Sequence, residues 1–320
     1  MPGVVSWRRA GASDVPFGHE PVLVDEVVRL VAGGSGTYLD ATVGAGGHAA
    51  ALLHALPPDA RLLGLDRDPH AIGVAGERLR EFGDRVVLVS KPFDQLGEVM
   101  STLGLRSLAG ALFDLGLSSL QLVDDSRGFS FRPGGMLDLR FDPTSGSGAA
   151  EVLETIDEPA LARFLFEYGE LKDARKVARA LIHARDRRGL KTTDDVRAAI
   201  TAVWGPRPEP RRLAQLFQAL RIMVNDELGR LDRALQEVPE RLASGAALAV
   251  ISYHSLEDRR VKALFRGVEP TRREARLGAT RPSDWEILTP RPLRPTPLEV
   301  AANPRARSAR LRAARRRKAA

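Results

Sequence analysis

The sequence predicts an α/β fold, a doubly wound and mostly parallel sheet of seven strands with an all-helical module inserted into it. Three observations carry that expectation. The stretch Tyr38-Leu39-Asp40-Ala41-Thr42-Val43-Gly44-Ala45-Gly46-Gly47-His48-Ala49 reads as strand, glycine turn and helix. A second apolar run over 61–65 ends in Asp66, at about the 20-residue interval where a ribose-binding acid belongs. The alternation of strand and helix stops at about Gln121 and resumes at Ala246, so a module interrupts the sheet.

Residues 1–17 lack a periodic apolar pattern and are expected to be disordered. The pattern over 24–31 is helical and ends at Gly33-Gly34-Ser35-Gly36, and the helix over 49–56 is stopped by Pro57-Pro58. Asp68-Pro69 starts a third helix, since proline is tolerated in the first turn. Runs over 85–89 and 108–115 are the third and fourth strands. Beyond a Gly-, Pro- and Asp-rich loop over 124–148, Thr192 with Asp195 three positions on N-caps a helix over 194–203. A single amphipathic helix is expected over 214–235, burying its stripe within the chain rather than in a dimer. The sheet returns with 246–253, followed by a helix over 256–265 that Ser255 and Asp258 would cap, and closes with 287–289 and 308–311. The expected division is a core of 18–120 and 213–312, an insert of 121–212 and a basic tail of 313–320.

Composition bounds the function. At 320 residues there is ample core, no apolar run long enough to span a bilayer and no signal-peptide pattern, so a cytoplasmic protein is expected. The absence of cysteine excludes disulfides, cysteine zinc sites and cysteine nucleophiles, and no metal site is expected. The net charge of +7 points to a polyanionic partner. Its distribution matters more: the eight Arg and Lys residues of 303–320 account for all of it, and a second excess lies over 172–191. Either stretch could meet phosphate, or be a solvated helix face and a frayed end.

Asp40, Asp66, Asp114 and the pair Tyr253-His254 stand at predicted strand carboxyl ends, where open parallel sheets bind ligands. Acids there suit hydroxyl and ammonium groups, while glycine N–H groups serve the rest. There is no Gly-x-x-x-x-Gly-Lys loop, and a second acid at Asp40 would repel pyrophosphate. The pattern points away from NAD and ATP and toward S-adenosyl-L-methionine. A glycine turn and a solvated acid without a ligand are the plain structural alternative.

The stretches His19-Glu20-Pro21-Val22-Leu23, Asp40 to His48, Leu65-Asp66-Arg67-Asp68-Pro69 and Asp114 to Leu122 resemble the bacterial S-adenosylmethionine-dependent 16S rRNA cytosine-N4 methyltransferase family. So do Arg127-Gly128-Phe129-Ser130-Phe131-Arg132, Phe217 to Ile222, Ile251 to Arg259 and Asn303 to Arg312. They run in family order. The resemblance implies a Rossmann-like class I methyltransferase core, an inserted helical substrate-recognition domain and a cytidine of the ribosomal decoding region as target. It implies cofactor contacts from Gly46, Gly47, His48, Asp66, Phe93, Asp114 and Gln121. Phe93 and Gln121 rest on the resemblance alone. One departure is Pro133-Gly134-Gly135-Met136-Leu137-Asp138-Leu139-Arg140, where the family usually has Asp-Gly-Pro-Leu-Asp-Met-Arg: the first acid is absent, while Asp138 and Arg140 are kept.

The cytosine amine is a poor nucleophile, because its lone pair is delocalised into the ring, so an acceptor on its N–H would favour attack. Asp114, Ser118 and His254 are the candidate catalytic acceptors. Methylation at carbon 5 would need a thiolate that this chain lacks, which favours nitrogen chemistry. The expected partner is 16S rRNA or the small ribosomal subunit, with the protein a monomer or weak homodimer. The alternatives are a methyltransferase acting on another RNA or a protein amine, a non-catalytic ribosome assembly factor with this fold and, more distantly, a nicotinamide dehydrogenase.

Overall fold

The computed structural model describes residues 21–129, 134–267 and 284–317. The expected disordered start, the His19-Glu20 pair, residues 130–133 with the first residue of the altered motif, Pro133, and 318–320 lie outside the described residues. The described residues divide into two compact units: 21–66, 70–116, 235–267 and 284–317 form the first, and 67–69 with 117–129 and 134–234 the second.

The first unit is a seven-stranded sheet. Its strands are β1 (Thr37–Asp40), β2 (Arg61–Asp66), β3 (Val86–Ser90), β4 (Leu108–Asp114), β5 (Leu242–Ser252), β6 (Trp285–Ile287) and β7 (Arg310–Arg316), in the order β3-β2-β1-β4-β5-β7-β6. Pairing is parallel from β3 through β5, and β7 alone runs antiparallel to both neighbours. Helices cover the parallel strands, which is why β4 reads as a continuous apolar run rather than an alternating one. Helix α1 (Val24–Val31) precedes β1, and α2 (Gly47–Ala55), α3 (Pro69–Arg78) and α4 (Leu96–Thr102) fall between the early strands. Strand order reverses between β1 and β4, so a crevice opens where Asp40 and Asp114 end their strands. Val27, Leu39, Leu52, Leu62, Leu112 and Ile251 are among the fully buried core residues.

The basic tail over 313–320 is a correction. Residues 310–316 are not a tail but β7, an interior strand of the sheet. Leu311, Ala313 and Ala314 are buried, and Arg312 holds Asp258 through 2.6 and 3.1 Å bonds. Arg315 faces Glu286 at 3.6 Å, while Arg316 and Arg317 donate to the carbonyls of Leu242 and Trp285. Alternation of arginine with small apolar residues is a strand pattern here, and most of these charges serve the fold.

The second unit is helical: α5 (Ser119–Val123), α6 (Ala149–Thr155), α7 (Glu158–Gly169), α8 (Ala174–Arg188), α9 (Thr193–Trp204) and α10 (Pro210–Asn225). Thr192 caps α9 in a box with Asp195, as its spacing predicts. Leu161, Leu165, Val177, Leu181, Ile200, Leu216 and Leu220 form its core. The single helix expected over 214–235 is two, α10 and α11 (Glu227–Arg241), broken at Asp226 in the left-handed region with φ 48°. The stripe nevertheless stays buried through Leu228, Leu231 and Leu235, so periodicity alone does not reveal the break. Because α10 packs into the helical core, the unit runs from 117 to 234 rather than from 121 to 212. Among the described residues no helix is long and apolar enough to cross a membrane.

Candidate active site

The site lies within the first unit, at the carboxyl ends of its central strands. The glycine turn after β1 bends through Gly44 (φ 51°) and Gly46 (φ 78°), conformations that glycine adopts without strain. Gly44 donates its N–H to Oδ2 of Asp66 at 2.9 Å, which ties the turn to the end of β2. Gly47 serves packing: a Cβ there would lie 2.8 Å from the Pro21 ring. Thr42 bridges the two strands at the switch point, its hydroxyl accepting the Asp114 N–H at 2.7 Å.

His48 enters from the first turn of α2 and is buried. Its Nε2 lies 2.8 Å from the carbonyl oxygen of Val22, and Nδ1 lies 3.6 Å from Oδ2 of Asp114. The other oxygen of Asp114 accepts the Tyr253 hydroxyl at 3.0 Å. Burial pushes Asp114 up to about 7, against the opposing Tyr253 hydrogen bond, and pushes Tyr253 well above its usual value. His48 is lowered by burial, although Asp40 pulls it back up.

Asp40 is 1 % exposed and accepts the Thr42 N–H on Oδ1, while its buried Oδ2 has no hydrogen-bond partner. Burial raises it to about 7, with His48 opposing. A buried, half-satisfied carboxyl stores strain that a ligand donor can relieve. Its folded pKa lies above its unfolded value, so the folded protein binds the extra proton between about pH 4 and 7, and stability falls as pH rises through that window. Asp40→Asn removes this penalty. The substitution is expected to stabilise the ligand-free protein by up to about 4 kcal/mol at pH 8 and roughly 1 kcal/mol less at pH 6. Denaturant melts at both pH values check this, and an equal gain at each speaks against a titrating Asp40.

Phe93 follows β3 in a short 3-10 turn (Phe93–Gln95), half-buried, with its ring edge-to-face on Phe113 at 5.6 Å. Its position leaves part of the ring accessible, as an adenine platform requires. Gly46, Gly47, His48, Asp66, Phe93 and Asp114 thus all belong to the sheet unit.

Ser118 and Gln121 do not: both lie in the helical unit and are bound to each other. Ser118 Oγ accepts the Gln121 N–H at 3.2 Å and Gln121 Oε1 accepts the Ser118 N–H at 3.0 Å, a capping box that starts α5. Their polar atoms hold a helix end, which weakens the assignment of Ser118 as proton acceptor. His254 Nε2 lies 3.1 Å from Oε1 of Glu257, while both ring nitrogens are buried without a hydrogen-bond partner. Glu257 Oε2 accepts the Tyr253 and His254 N–H groups, so the cap of α12 (Ser255–Arg266) is His254 with Glu257, one residue before the expected Ser255 and Asp258. Asp258 pairs instead with Arg310 and Arg312. Thr42 is not among the site residues read from the sequence, and Tyr253 enters there only paired with His254. Their signal is position alone, Tyr253 directly after β5 and Thr42 two residues after the acid that ends β1.

An acidic crevice with a left-handed glycine turn, an accessible aromatic ring and an imidazole fits a cationic nucleoside better than a nucleotide. Residues 16–317 match the pattern of the MraW methylase family. Ribosomal RNA small subunit methyltransferase H of Acidothermus cellulolyticus is 46% identical over 310 residues, covering 92% of this chain and 93% of that protein. The proteins of the same name from Sorangium cellulosum and Thermomicrobium roseum are 43% and 42% identical, each covering 93% of this chain and 90% or more of their own length. The chain belongs to the MraW methylase family.

Proposed function

We propose that this protein methylates the N4 amine of a cytidine in 16S rRNA, using S-adenosyl-L-methionine, in the cytoplasm. The observation that carries the reading is the cluster of strand-end acids Asp40, Asp66 and Asp114 around the glycine turn, in a chain whose relatives, matched over about nine-tenths of their length, are named small-subunit rRNA methyltransferases. Asp66 is the acid for ribose hydroxyls, Phe93 the surface for adenine, and Gly46, Gly47 and His48 line the amino-acid end. When bound, the cofactor supplies a methyl group made electrophilic by a cationic sulfur. Asp114 is the acceptor for the amine N–H, since Ser118 is bound in a helix cap and His254 Nε2 faces the Glu257 carboxylate. Holding the reactants in line contributes on the order of 7 to 11 kcal/mol at best.

The helical unit is the part that grips RNA. Lys172, Arg175, Lys176, Arg187, Arg188 and Lys191 are exposed along and just beyond α8, whereas Arg185 is half-buried and caps the carbonyls of Leu153 and Ile156. Binding of an rRNA fragment should therefore weaken steeply with salt, by about 0.7 in logarithmic slope for each phosphate engaged. Arg175→Ala and Arg187→Ala should each flatten that slope by about one such step, and an affinity indifferent to salt excludes a phosphate grip.

The decisive experiment is methyl transfer from labelled cofactor to small-subunit particles and to free 16S rRNA, followed by nucleoside analysis. Label in N4-methylcytidine supports the reading. Label in another nucleoside or in protein replaces it, and bound cofactor without transfer points to an assembly factor.

A further inference from the structure

The hydrogen-bond pattern around His48 contains a proton that the reaction does not require. A carbonyl oxygen only accepts, so the 2.8 Å contact with Val22 obliges Nε2 of His48 to carry hydrogen. A neutral ring then turns the lone pair of Nδ1 toward Oδ2 of Asp114, 3.6 Å away. An acceptor facing a carboxylate inside a buried site is repulsive unless a proton lies on one of them. Oδ1 of the same carboxylate is already held by the Tyr253 hydroxyl, whose ring packs over Gly116. The arrangement therefore fixes both the place for the proton and the orientation of the group that carries it.

We propose that the cofactor-free site holds one proton on Asp114, whose Oδ2 faces the Nδ1 lone pair of His48, and that Tyr253 is the positioning residue that readies Asp114 to release it when the positively charged methyl donor binds. The inference rests on reading the crevice as an S-adenosyl-L-methionine site. No bond to the cofactor forms: the proton passes from Asp114 to solvent, and one negative charge is left to face the incoming cation. The charged side chains acting on the pair favour this exchange. Asp40 at the end of β1 and Glu299 on α13 (Pro297–Ala302) act on His48, Glu257 on α12 acts on Asp114, and all three are acids. Glu299 is itself anchored by the Leu23 N–H at 2.8 Å. A surround of acids retains a proton while the site lacks a cation and surrenders it when one arrives. Burial raises Asp114 to about 7, which places the exchange near neutral pH. Tyr253 opposes that rise by donating to the carboxylate, so it sets the pH at which release occurs.

Calorimetric titration of the full-length protein with S-adenosyl-L-methionine, in buffers of different ionisation enthalpy between pH 6 and 9, counts the protons released. The wild type should release between about half a proton and one near pH 7, and its affinity should rise with pH until release is complete. Tyr253→Phe keeps the ring over Gly116 but removes the donor. It should move the half-release point upward by about one pH unit, a shift that a purely packing role for Tyr253 would not produce. Wild-type binding without proton release overturns the inference and leaves the cofactor reading standing. Release whose midpoint is unmoved in Tyr253→Phe assigns the proton to Asp40 and also overturns it. No binding of S-adenosyl-L-methionine to the wild type removes both.

Discussion

Asp114→Ala should reduce methyl transfer by at least about 10³-fold, the range seen when a positioned proton acceptor is lost together with the contacts around it. Three partners converge on this one carboxyl: Thr42 holds its backbone, Tyr253 one oxygen, and His48 faces the other. The loss should not come from unfolding. Burial disfavours the charged carboxylate, so its removal relieves a penalty and the melting temperature should hold or rise at pH 8. Equilibrium binding and single-turnover transfer measured on the same variant separate two contributions. A fall in affinity alone assigns Asp114 to the cofactor, while a slower transfer at saturating cofactor assigns it to the amine proton. Activity within tenfold of the wild type denies it both roles.

The residues around Asp114 also show what a sequence can disclose. Strand ends are legible because an acid closing an apolar run leaves a mark: Asp40 and Asp66 end β1 and β2 as the pattern predicts, and Asp114 ends β4 one residue before the expected 115. Helix caps were legible where the capping residues sit close in sequence, as at Thr192 and Asp195. They were misread where two candidate boxes overlap, since the residues from His254 to Asp258 offer both His254 with Glu257 and Ser255 with Asp258. What decides between them is Arg312, 54 residues away, which takes Asp258. The arginines expected in a tail over 313–320 are misplaced for the same reason. Charge is visible in a sequence, but whether a guanidinium meets solvent, a carboxylate or a strand carbonyl depends on partners such as Glu286 and Leu242 that are remote along the chain. Tyr253 was seen only as a neighbour of His254, because its hydrogen bond to Asp114 spans 139 residues.

Arg127→Met should destabilise the helical unit by about 3 to 5 kcal/mol, the usual consequence of removing one partner from a buried ion pair. Arg127 is 8 % exposed and Asp68 1 %, and Nη1 of the arginine lies 3.1 Å from Oδ2 of the acid. The same guanidinium donates through Nη2 to the carbonyls of Arg140 and Phe141 at 3.1 and 2.7 Å. Beside it Asn225 uses both ends of its amide. Oδ1 accepts from Arg67 and from the Phe141 N–H, each at 2.8 Å, and Nδ2 donates to Leu139 at 2.6 Å and to Arg221 at 2.9 Å. Arg67 lies over the Phe141 ring at 5.0 Å, and Phe141 packs on Phe129. Three segments distant in sequence, 67–68, 127–141 and 221–225, are thus joined by one polar cluster with aromatic cover. Methionine matches the length of the arginine stem but supplies neither the charge for Asp68 nor the donors for the two carbonyls. Denaturant unfolding of the variant measures the effect. The double variant with Asp68→Leu should recover most of the loss, since replacing both members of a buried pair by apolar groups is often neutral. A single-variant cost under about 1 kcal/mol, the value of an exposed pair, would mean that solvent reaches Asp68 and that the cluster does not hold the unit together.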